Sequence, residues 1–197
     1  MTLSHRIGAL AQLTLQEPRQ AARALLAEGV PMPARTVGLL LVAVLSSLLA
    51  SLQVGSDLSE LDPISRFMLA SPFRAAVFQW LFLVLTVILI HRVGRAFGGH
   101  GSFPDALLVV VWLQLPLLAL QVVQLAATLF VPPLAGIIGL GGFALFLWLM
   151  TVFVAELHGF RALGKVFLGI VLTGLGTGFV LGIALVLILG PEAFADV

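Results

Sequence analysis

The side chains able to do chemistry in this 197-residue chain gather in two short segments. One holds His91, Arg92, Arg95 and His100, the other Glu156, His158, Arg161 and Lys165, and each follows an apolar run. The carboxylate of Glu156 suits pairing with Arg92, Arg95 or Arg161, which would make a salt-bridged collar, while His91, His100 and His158 offer the alternative of a shared metal ion. None of these histidines stands at the close spacing of a metal-ligand motif, so no metal, cofactor or catalytic residue is assigned. Gly98, Gly99 and Gly101 have the composition of a phosphate-cradling loop but not its Lys-Ser/Thr ending. Ser102, Pro104 and Asp105 read instead as a helix start, with Ser102 as the cap. A third polar set is Gln114, Gln121 and Gln124, with Pro116 among them. Gln114 and Gln121, seven residues apart, share a helix face, and Gln124 lies one turn further. Such amides either tie helices together or line a solute path.

The elements that must position these groups are apolar. Sixty per cent of residues are hydrophobic and 10% charged, mean hydropathy is +1.17, and no charged side chain occurs between residues 106 and 155. Runs over Thr36 to Gln53, Ala75 to Ile90, Ala106 to Phe130, Leu134 to Ala155 and Val166 to Leu189 predict five membrane passes, since about 20 residues span the hydrocarbon core. The fold class is therefore all-α, a polytopic bundle of five transmembrane helices (36–190), preceded by a segment with amphipathic helices (1–35) and followed by a short tail (191–197). No ionisable group lies mid-pass, which argues against ion or proton coupling. With no cysteine, disulfide and thiolate chemistry are excluded.

Basic residues orient the chain. Arg6, Arg19, Arg23, Arg35, Arg92, Arg95, Arg161 and Lys165 fall on one side of the passes and only Arg66 and Arg74 on the other, so the N-terminus is expected in the cytoplasm and the C-terminus outside. No cleavable signal is expected, the first pass serving as signal anchor. Arg outnumbers Lys nine to one, a bias that suits a GC-rich bacterial genome. Before the first pass, Leu3, Ile7, Leu10 and Ala11 recur at helical spacing, and a second short helix runs from Pro18 to Gly29. These two either lie in the headgroup plane or pack against the bundle. Between passes one and two, Asp62 and Pro63 suit a helix start. In the last pass Gly174, Gly178 and Gly182, at four-residue intervals, predict a face that another helix approaches closely, within the chain or in a second copy.

The stretch from Phe97 to Leu107, Phe-Gly-Gly-His-Gly-Ser-Phe-Pro-Asp-Ala-Leu, followed by Pro116, resembles the Yip-one family of five-helix membrane proteins. So does Glu156-Leu157-His158-Gly159-Phe160 followed by Gly164 and Lys165. The resemblance covers most of the chain. It implies, in eukaryotic members, proteins of Golgi and endoplasmic-reticulum membranes that interact with prenylated Rab-type GTPases in trafficking or membrane shaping. This chain lacks their aspartate-leucine-tyrosine-glycine-proline type motif and has no Tyr, and it looks like the bacterial branch. The expectation is a non-enzymatic inner-membrane protein acting through lipids and another membrane protein or a copy of itself, with no nucleic acid involved. The alternative is a transporter or channel built on the glutamine stripe.

Overall fold

The computed structural model describes residues 3–54 and 63–189, which form α1 (Leu3–Gln16), α2 (Pro18–Ala27), α3 (Met32–Val54), α4 (Pro63–Leu69), α5 (Pro72–Ala96), α6 (Phe103–Phe130), α7 (Pro132–His158) and α8 (Leu163–Leu189). Five of these helices, α3, α5, α6, α7 and α8, are long and apolar enough to cross a membrane. Their 23 to 28 residues make rods of about 35–42 Å, longer than the roughly 30 Å hydrocarbon core. Apolar side chains leave the backbone no partner but itself in such surroundings, and the helix satisfies every N–H and C=O locally. Each helix outruns the apolar run that predicts it, because backbone bonding continues until a cap or a proline ends it. Prolines occupy the first turns of α2, α5, α6 and α7, where the missing N–H costs nothing. The internal Pro116 is carried within α6.

α6 is the central helix, packed against α3, α5 and α7. Burial is concentrated toward one end of the bundle. There Leu39, Val42 and Ala43 of α3 meet Leu83, Val87 and Ile90 of α5, Ala106, Leu107 and Val110 of α6, and Val154 and Leu157 of α7. Close approach of α3 to α6 is set by Gly38, where a Cβ would stand 3.0 Å from Val111 Cγ1. α8 leans chiefly on α7, and no residue of its apolar window is buried.

The two N-terminal helices pack on the wall of the bundle. Ala21, Ala22 and Leu25 of α2 are buried against Leu108, Val109, Trp112 and Leu113 of α6 and Leu149 and Phe153 of α7. The Trp112 indole N–H donates to Thr14 Oγ1 at 3.0 Å, and that hydroxyl donates to the Leu10 carbonyl at 2.8 Å. An Arg6–Glu28 ion pair ties α1 to the end of α2. Of the two placements open in the sequence, the structure adopts packing against the bundle. The expected cap Asp62 and the tail 191–197 lie outside the described residues; α4 itself is present, with the Arg74 guanidinium 4.3 Å from the centre of the Phe67 ring.

Candidate functional site

Both segments rich in chemistry meet at one end of the bundle, where α5 and α7 finish and α3, α6 and α8 begin. Local geometry brings them there. α5 closes with Gly98 at φ +83°, the Gly98 N–H bonding the Arg95 carbonyl at 3.0 Å and the Gly99 N–H the Gly94 carbonyl at 2.9 Å. α7 closes the same way around Gly159 at φ +75°, with Gly159 bonding Glu156 at 3.3 Å and Phe160 bonding Ala155 at 2.8 Å. These paired bonds satisfy the last helical carbonyls, and the left-handed residue at the turn favours glycine. α6 then starts at Ser102, whose Oγ accepts from the Asp105 N–H at 3.2 Å and donates to Asp105 Oδ2 at 2.6 Å.

His158 is the pin that joins the two turns. Its side chain is 1% exposed and fills a cradle of three glycines: a Cβ on Gly94 would stand 2.2 Å from Nε2, one on Gly99 2.4 Å from Nδ1, and one on Gly101 2.8 Å from Cε1. The Gly101 N–H donates to Nδ1 at 3.2 Å, and Nε2 lies 3.1 Å from the Ile90 carbonyl. A carbonyl only accepts, so both bonds are met by the neutral ring protonated on Nε2. Phe160 stacks on the ring at 5.5 Å, and the His158 carbonyl accepts from the His100 N–H at 3.3 Å. Of the expected contact residues, His158 is thus turned inward and both ring nitrogens are occupied by backbone. Two of the glycines with the composition of a phosphate loop, Gly99 and Gly101, instead make room for an imidazole, together with Gly94.

Glu156 also differs from expectation. Its carboxylate pairs with Arg19 at 3.7 Å and Arg23 at 3.4 Å, both on α2, and not with Arg92, Arg95 or Arg161. The hairpin packed on α6 and α7 reaches it first. Asp105, read from sequence only as part of a helix start, is also the partner of Arg35 at 3.0 Å, and Arg35 Nε donates to the Val30 carbonyl at 2.7 Å. Arg35 is 7% exposed, a burial that sequence gave no sign of beyond an arginine placed just before an apolar run. Among the described residues no group of three His, Asp or Glu side chains is gathered as metal ligands. What stays exposed at this end is Arg92, Arg95, His100, Arg161 and Lys165. None of the four Arg and Lys side chains in that set has a carboxylate partner among the described residues.

The end where α5, α6 and α7 are knotted together lies well inside a match to a known domain: the family model of the Yip1 domain fits residues 13–186. The chain belongs to the Yip1 family. No curated protein and no solved structure matches it. This Yip1 domain takes in the end of α1, all of α2 and the five long helices nearly to the end of α8, so the His158 knot and α2 both lie inside the match.

Within the Yip1 domain the glutamines of α6 are not equivalent. Gln124 Nε2 donates to the Ala135 carbonyl of α7 at 3.1 Å, next to Gly139, where a Cβ would stand 2.9 Å from it. Gln114 is 8% exposed, and Gln121 has a buried Oε1 with no hydrogen-bond partner. Of the two neighbours left open for the glycine face of α8, a helix of the same chain is not adopted among the described residues. A Cβ on Gly174, Gly178 or Gly182 would meet nothing within 4 Å, so no helix of the same chain fills that face. Small residues permit close approach; they do not supply the neighbour.

Proposed function

We propose that this Yip1-family protein is a non-enzymatic integral membrane protein that works by contact, as a scaffold or accessory subunit recognising a partner membrane protein or lipid at its basic end. One observation carries the reading: Asp105 and Glu156, next to the two turns, are engaged by Arg35, Arg19 and Arg23, while Arg92, Arg95, Arg161 and Lys165 stand exposed without acidic partners among the described residues. The side chains best suited to acid–base chemistry, His158 and Glu156, are held in structural bonds, which also supports a binding role. The excess of basic residues at this end favours its placement in the cytoplasm, in a bacterial inner membrane, with the C-terminus in the periplasm. Replacing Arg92, Arg95 and Arg161 together by Gln is expected to lower recovery of a co-purifying partner from native membranes while the bundle keeps its melting behaviour. Unchanged recovery would overturn the reading.

A second reading, a transporter or channel for a small solute or lipid, is favoured by one observation, the buried Gln121 Oε1 on α6 that has no hydrogen-bond partner. An unsatisfied buried amide oxygen is costly, and a donor group of a passing solute could bond it. This version expects flux in reconstituted vesicles that falls when Gln114, Gln121 and Gln124 become Leu.

A further inference from the structure

Between the end of α5 and the start of α6 lies an open notch of about 330 Å³ lined by Ile88, His91, Arg92 and Phe103. Its chemistry changes with depth. Ile88 stands one helical turn, about 6 Å, deeper than Arg92. Ile88 and Phe103 are 40% and 37% exposed, so the notch has two apolar side chains uncovered by the rest of the chain, Ile88 being the deeper. Arg92 forms the rim, exposed and without a carboxylate partner among the described residues. His91 is held in place: its Nδ1–H donates to the Gly101 carbonyl at 3.2 Å, and its ring meets Phe103 edge-on at 5.9 Å. With Nδ1 engaged as donor, the neutral ring has Nε2 left to accept a hydrogen bond.

Resting on the reading of this end as a contact surface, we infer that the notch binds one anionic phospholipid, with the phosphodiester at Arg92, a headgroup hydroxyl at His91 Nε2, and the glycerol and upper acyl chain against Ile88 and Phe103. The order apolar, then cationic, from within the span toward its end matches the order acyl chain, then phosphate, in a leaflet. A free phosphate would leave the apolar half of the notch without a ligand. Acidic protein is also a poorer fit, because the notch opens along the flank of a helix long and apolar enough to span a membrane. Arginine suits the role because its guanidinium bonds phosphate oxygens with two parallel N–H groups.

The test uses the full chain, delipidated in mild detergent and titrated with phosphatidylglycerol or with phosphatidylcholine of the same acyl chains, bound lipid being counted by native mass spectrometry. Both lipids carry the phosphodiester, but choline adds a fixed positive charge beside Arg92 and has no hydroxyl for His91 Nε2, so phosphatidylglycerol is expected to bind more tightly by on the order of tenfold, the scale of one hydrogen bond. Arg92→Gln should erase that preference and Arg92→Lys should restore part of it. Arg6→Gln, exposed on α1 on the same side of the passes but outside both the notch and the proposed contact surface, should leave it intact. Equal binding of the two lipids would overturn the inference, as would equal losses in Arg92→Gln and Arg6→Gln, which would mean diffuse attraction and not a site. Partner recovery separates this from the wider reading. If the triple Arg variant loses its partner while Arg92→Gln keeps its lipid preference, the contact reading stands and the lipid site falls. If lipid preference is lost and partner recovery is not, the site stands alone.

Discussion

Adding one methyl group at Gly94 should unfasten the knot between α5 and α7. A Cβ there would stand 2.2 Å from His158 Nε2 and 2.3 Å from Cε1, and the ring has little room to retreat, since Gly99 and Gly101 crowd its other edge. Overpacking of this kind costs about 1–3 kcal/mol. Expelling the ring instead breaks its bonds to Gly101 and Ile90 and leaves buried backbone groups unpaired, at about 1–3 kcal/mol each. Against this, Ala gains about 0.5–1 kcal/mol over Gly in a helix. The cheaper route sets the cost, so the net expectation for Gly94→Ala is a loss of about 1–2 kcal/mol, or about 2–8 °C in apparent melting temperature for a chain of this size. Tryptophan fluorescence of the detergent-solubilised protein reads it directly. Two comparisons make the geometry the cause. Gly178→Ala, where nothing lies within 4 Å, should be neutral or slightly stabilising. In a His158→Ala background the added methyl enters vacated space, so Gly94→Ala should be neutral or slightly stabilising there, a clear non-additivity. The reasoning is refuted by an unchanged melting temperature in Gly94→Ala, or by the same loss with and without the His158 ring.

The hairpin and the Arg35 pair give two further expectations. Ala22 is fully buried, so Ala22→Leu should push α2 off α6 and α7 and speed tryptic cleavage at Arg19 and Arg23; Glu156→Gln should do so far less, because its arginine partners are about half exposed (47% and 62%) and such pairs contribute about 0–1 kcal/mol. Asp105→Asn should lower stability by about 1–3 kcal/mol, since it leaves the buried Arg35 charge with only the Val30 carbonyl and a weaker acceptor; chemical denaturation in detergent measures it, and a loss below about 0.5 kcal/mol would show the pair to be dispensable.

Hydropathy made the five long helices legible because each span solves its backbone bonding alone, whatever its neighbours do. The eight basic residues on one side of the passes and the helix start at Ser102 and Asp105 were equally readable, being set by neighbours in sequence. Pairings between distant segments were not. Glu156 is 133 residues from Arg23, and no pattern in either segment says that α2 would pack on α6 and α7 and reach that carboxylate ahead of Arg161, only five residues away. His158 and the glycines 98, 99 and 101 were each visible, but their spacing alone could not distinguish a loop that holds an anion from one that admits an imidazole, and nothing marked Gly94 of α5 as part of the cradle. That distinction depends on the ångström-scale approach of α5 to α7. The same limit explains α8, where the sequence specifies a face able to receive a helix and the tertiary structure leaves it uncovered. The sequence by itself determined the class, the number of spans and which end carries the positive charge, because lipid exposure and charge act on each segment separately. Which polar groups are held inward and which remain free to bind was decided only by packing, since that choice belongs to pairs of helices and not to either one.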